Sequence, residues 1–93
     1  MTETTAGEYV KVRDGAAVWR KIEGETVLLA LDSSMYLGLN RTGTELWPMM
    51  VQGTTHAAMT EHLIDTFDVD AQRAAEDVMA FVASCRERNL LDD

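Results

Sequence analysis

Ahead of Asn40 the sequence is cut into short apolar runs by closely spaced turns, and this spacing constrains the fold more than any other feature. Asp14-Gly15 and Glu23-Gly24 supply residues that tolerate positive φ. Asp32-Ser33-Ser34 offers side-chain bonds to nearby backbone. Between the turns lie Ala17–Ile22, Thr26–Leu31 and Met35–Leu39. Connections this short make consecutive antiparallel pairing the simplest topology. Tyr9–Arg13 adds either a short extra strand or an extended arm. Thr26–Leu31 is apolar at every position after its first, which predicts a central strand covered on both faces. Val18–Ile22 carries Arg20 and Lys21, as guarded edge strands often do. Met35–Leu39 is then the other edge.

After Asn40 the period changes to that of helices. Thr42-Gly43-Thr44-Glu45 fits a capping box, with Leu46, Trp47 and Met50 facing inward. Pro48 falls inside this helix and predicts a short or bent one, ended by Gly53. Thr54 or Thr55 caps a second helix with Met59, Leu63 and Phe67 at spacing four. Asp70 caps a third, with Val69 and Ala74 as a hydrophobic staple and Ala74, Val78, Phe81, Val82 and Cys85 as its inner face. Asn89 suits the left-handed end. The expected class is α+β: a winged-helix-like domain with a three-stranded antiparallel sheet followed by three helices. Residues 1–8 read as a flexible tail and 9–93 as one domain, since 93 residues allow a single modest core.

The chemistry-bearing residues do not assemble into a catalytic pattern. Cys85 is alone, excludes an internal disulfide, and sits at core spacing. His56 and His62 are six apart, which turns them to different helix faces and leaves no ligand set for a metal. Both read as solvated or cap-proximal. Asp65, Asp68 and Asp70 crowd a helix junction where caps explain them. No glycine-rich phosphate loop is present, so neither an enzyme nor a cofactor is expected. The formal charge is −8, a field that disfavours nucleic acid. No apolar run is long enough for a membrane span, and the first residues lack a basic start and a hydrophobic stretch. The expected location is the cytoplasm.

What remains is the third strand. Ser34-Met35-Tyr36-Leu37-Gly38-Leu39 has no Pro, no Lys and no charge, the features that usually protect an edge. Such an edge either accepts an extended peptide by strand addition or is covered by the third helix or the N-terminal arm.

Several segments in order resemble the PqqD family. These are Gly24-Glu25-Thr26-Val27-Leu28-Leu29, Tyr36-Leu37-Gly38-Leu39-Asn40-Arg41-Thr42-Gly43, Leu46-Trp47, Gly53-Thr54, and Asp77-Val78 with Phe81-Val82. The ending Asn89-Leu90-Leu91 stands where Gly-Leu-Leu is the family-like form. The resemblance spans roughly Val10 to Leu91. It implies a non-catalytic adaptor that binds the leader of a ribosomally made precursor peptide by β-strand addition and presents it to maturation enzymes. The Val18–Leu29 opening resembles the stand-alone proteins of lasso-peptide clusters, whose partners are a leader-cleaving cysteine protease and an ATP-dependent macrocyclase. The implied contact residues are Met35, Tyr36, Leu37, Gly38 and Leu39 on the strand, and Ala75, Asp77, Val78, Met79 and Val82 on the third helix. Helical spacing alone allows Val78 and Val82 to be core instead. Asp77 is either placed to meet a donor or cation of the leader, or is a carboxylate exposed to solvent or bonded within the fold. A winged-helix DNA-binding or transcriptional regulator is the alternative reading.

Overall fold

A computed structural model describes residues 9–92; the tail expected over 1–8 lies outside the described residues. The elements run β1 (Tyr9–Val10), β2 (Ala17–Ile22), β3 (Glu25–Ala30), β4 (Met35–Leu39), α1 (Arg41–Gln52), β5 (Thr54–Thr55), α2 (His56–Phe67) and α3 (Ala71–Glu87). The main sheet has the expected antiparallel order β2-β3-β4. Val18, Leu29 and Tyr36 align across it in one row, and Trp19, Leu28 and Leu37 in the next. The Tyr9–Arg13 segment does form a strand, but outside this sheet. Tyr9–Val10 pairs with Thr54–Thr55, a ladder with no strand signal of its own in the sequence. Val12 then bridges Leu91, and the Asp92 N–H donates to the Lys11 carbonyl at 2.8 Å. The arm therefore clips to the C-terminal segment, and among the described residues nothing pairs with the outer edge of β4.

The helices form a layer on one side of the sheet, with α1 packed directly on β3 and β4. Leu28 is fully buried at the sheet's centre, and Trp47 of α1 is fully buried in the same core. Trp19 meets Trp47 edge to face, ring centroids 5.5 Å apart, a geometry favoured by the ring quadrupoles. Met50, Met59, Leu63, Val78 and Val82 complete the core. Among the described residues nothing covers the other face, contrary to the expectation for β3. Val27 and Leu29 are only half-buried there, beside the exposed Val18, Ile22 and Tyr36. The all-apolar run reflects an outward face that is itself apolar, not a second layer.

The helix starts show how local chemistry sets the frame. Thr55 and Asp70 cap α2 and α3, accepting from the N–H groups of Ala58 (3.1 Å) and Arg73 (2.7 Å). The cap of α1 is Asn40, not Thr42: its side-chain oxygen accepts from the Gly43 N–H at 2.9 Å. Glu45 therefore makes no capping box and reaches His62 of α2 at 2.9 Å. Pro48 does not shorten α1, which runs twelve residues to Gln52. His56, expected near a cap, directly follows the cap residue Thr55, but it is buried and not solvated.

Gly53 ends α1 at φ 98°, and a side chain built there would strike the Tyr9 ring. Gly53→Ala therefore combines a disfavoured backbone with a clash against β1. It is expected to lower stability by about 1–3 kcal/mol, read as a lower urea midpoint at unchanged slope. An unchanged midpoint would show that β1 yields without cost.

Candidate functional site

The third strand keeps a free edge. Among the described residues, no strand pairs with β4 on the side away from β3. The backbone groups it presents there follow from parity. The Leu31 N–H donates to the Ala16 carbonyl, so odd-numbered residues of the central strand turn toward β2. The Thr26 N–H instead meets the Thr44 hydroxyl at 3.1 Å, and that hydroxyl faces the Leu39 carbonyl at 3.4 Å. Even-numbered residues of β3 thus turn toward β4. Leu28 opposes Leu37, and Ala30 opposes Met35. Met35, Leu37 and Leu39 consequently spend their backbone groups inward, and Tyr36 and Gly38 direct theirs outward.

Side chains follow the other alternation. Met35, Leu37 and Leu39 share the helix-side face with Leu28, whereas Tyr36, 73% exposed, projects from the outer face. Gly38 is also on the outer face, with open space around the position of its missing side chain. Beside the free edge runs a groove floored by the sheet and walled by α3. Its central cleft, about 190 Å³, lies between Leu37, Leu39, Phe81, Ser84, Cys85 and Arg88. It continues toward Asn40, Arg73 and Asp77 at one end and toward Met35, Glu87 and Asn89 at the other. Gly43 shapes the wall: a side chain there would lie 3.0 Å from the Phe81 ring and 3.2 Å from Leu39. The missing Cβ lets α1 start against both.

Only part of the expected helix contribution faces this groove. Asp77 does, paired with Arg73 at 3.5 Å on its own helix. Val78 and Val82 are buried in the core. Ala75 and Met79 line none of the three clefts; at 100° per residue Met79 stands about 140–200° from Asp77, Phe81 and Ser84. The groove wall is the stripe Arg73, Asp77, Ala80, Phe81, Ser84, Cys85, Arg88. Sequence spacing assigns Phe81 only to the inner face and gives Ser84 and Arg88 no place at the site. The signal that could have found them is the spacing of about four from Asp77 through Phe81 to Cys85 and Arg88, which is mixed in polarity.

Cys85 is buried at the back of the central cleft. Burial pushes its thiol up to about 12, and the nearby Arg88 charge only partly opposes this. Among the described residues, no three His, Cys, Asp or Glu side chains gather to hold a metal ion. No helix is long and apolar enough to cross a membrane.

Comparison with known proteins matches this arrangement to a family. The solved structure "TbiB1 in Complex with the TbiA(beta) Leader Peptide" superposes with a TM-score of 0.79 at 27% identity, over 88% of this chain and 94% of that one. A second, "Lasso peptide synthetase B1 complexed with the leader peptide", has a TM-score of 0.77 at 23% identity over 90% and 98%, and shows the same fold. No curated protein sequence matches. Residues 25–91, from the start of β3 to the last residue bridged to the arm, match the family model described as Coenzyme PQQ synthesis protein D (PqqD), and the chain belongs to the PqqD family.

Proposed function

We propose that this protein is a non-catalytic adaptor that binds the leader of a ribosomally made precursor peptide as an added strand on β4. The observation that carries this reading is the free edge of β4, whose outward backbone groups at Tyr36 and Gly38 border a groove walled by α3. The similarity to TbiB1, a protein solved with a leader peptide, supports it. The finer reading adds a leader-cleaving cysteine protease and an ATP-dependent macrocyclase as partners, in lasso-peptide maturation in the cytoplasm.

Energetics require the groove as well as the edge. About four strand hydrogen bonds give roughly 2–6 kcal/mol net, and association costs about 4–15 kcal/mol. Submicromolar binding needs about 8 kcal/mol net. Apolar leader side chains seated between Leu37, Leu39 and Phe81 supply the difference, at about 1.5–3 kcal/mol each. Met35, at the end of the same face, extends the apolar floor. Asp77 meets a leader donor or cation at the Asn40 end, in competition with Arg73.

The charge pattern does not support the DNA-binding alternative. Arg13 is bound to Asp32 and Arg73 to Asp77, while Arg41 lies over the Phe67 ring. The exposed positions of α3 and its C-terminal cap mix Arg73, Arg86 and Arg88 with Glu76 and Glu87. A duplex would meet a net charge of −8. An enzymatic role would fall to Cys85, and its raised pKa makes it a thiol where a nucleophile must be a thiolate.

Two measurements test this. Fluorescence titration with the leader half of a cognate precursor peptide is expected to saturate in the micromolar range or below. The core half and a DNA duplex are expected not to bind. Leader that fails to bind a folded protein would overturn the reading. Separately, the folded protein at pH 8 is expected to react with a disulfide reagent at least about tenfold more slowly than an ordinary cysteine, because burial raises the thiol's pKa and restricts access to it. Modification at the ordinary rate would contradict the inert, packed role of Cys85.

A further inference from the structure

The groove is not electrically neutral along its length. The central cleft has one formally charged residue on its wall, Arg88, and the sign is positive on a chain whose net charge is −8. Arg88 also lines the neighbouring cleft at the Met35 end, so it stands at the junction of the two. It makes no ion pair or side-chain hydrogen bond with another described residue. The carboxylate across that second cleft, Asp32, is already engaged by Arg13 at 2.8 Å and by the Asn89 side-chain amide at 2.9 Å. Glu87 lines the second cleft but not the central one. An unpaired guanidinium over an apolar cleft is a ready receptor for a carboxylate, because its planar fork matches that group and its charge does not titrate.

We propose that Arg88 selects an acidic side chain in the bound leader, seated at the mouth of the central cleft. This rests on the leader-binding reading and adds a specificity rule to it. Seven helical residues separate Phe81 from Arg88, a rise of about 10 Å. A strand covers that distance in about three residues. Side chains facing the same way recur at every second strand position, so the carboxylate stands two or four positions from the apolar residue beside Phe81. Docking also removes water from the pair, which strengthens it over an exposed surface ion pair.

Selection from a displayed library of random peptides tests the rule without a known leader. Wild-type protein is expected to enrich Asp or Glu two or four positions from an apolar residue. Arg88→Gln is expected to lose that preference, Arg88→Glu to reverse it toward Lys or Arg, and Arg88→Lys to keep it in weaker form. A peptide selected by the wild type is expected to bind Arg88→Gln about fivefold or more weakly, with the gap narrowing as salt is raised. An unchanged thermal midpoint and circular dichroism spectrum show that each variant is folded. Wild-type binders with no acidic preference, or the same preference in Arg88→Gln, would overturn the proposal while leaving the leader-binding reading intact. If folded wild type selects no peptide at all, the leader-binding reading falls and the role of Arg88 falls with it.

Discussion

The buried Thr44 hydroxyl occupies a position in the sheet where two strands would otherwise close on each other. It accepts from the Thr26 N–H and faces the Leu39 carbonyl, so the first turn of α1 is fastened between β3 and the end of β4. Three consequences follow from this one insertion. The pairing of β4 is fixed, with Leu37 opposite Leu28 and Met35 opposite Ala30. The outward backbone groups of β4 are then those of Tyr36 and Gly38. And α1 is held so close that a side chain at Gly43 would crowd Phe81 and Leu39, which sets one end of the groove.

The groove exists because the helical layer covers the sheet without sealing its β4 edge. Trp47, Leu28 and Val78 are fully buried, so the layers are locked together near the centre. Toward β4 the packing thins to half-buried Leu37, Leu39 and Phe81. An apolar cleft and a row of unpaired backbone groups lie side by side there, which is what strand addition uses: hydrogen bonds for adhesion and pockets for selectivity. The arm that could have covered this edge is spent elsewhere, paired with Thr54–Thr55 and with Leu91.

Features decided by a few consecutive residues are legible in the sequence alone. The turns, the meander, the caps Thr55 and Asp70, and the left-handed Asn89 (φ 60°) are all of this kind. Features decided by tertiary contact are not. Asn40 and Thr42 are both competent caps, and the burial of Thr44 selects the first. The inner face of α3 is readable from Val78, Val82 and Cys85, but an apolar stripe does not say which flank meets a strand. The flank that lines the groove is that of Asp77, Phe81, Ser84 and Arg88, and Ala75 and Met79 lie outside it. His56 is buried although its sequence surroundings look like an exposed helix start. The uncovered face of β3 misleads for a related reason, since an apolar outward face and a covered one have the same pattern.

Residue-resolved amide hydrogen exchange on β4, with and without saturating leader, tests the central claim most directly. Strand addition is expected to slow exchange at Tyr36 and Gly38 and to leave Met35, Leu37 and Leu39 nearly unchanged, because those three already face β3. The amides of α3 are also expected to change little, being bonded within the helix. Leader bound at saturation with Tyr36 and Gly38 still exchanging at their free rates would contradict docking on the β4 edge.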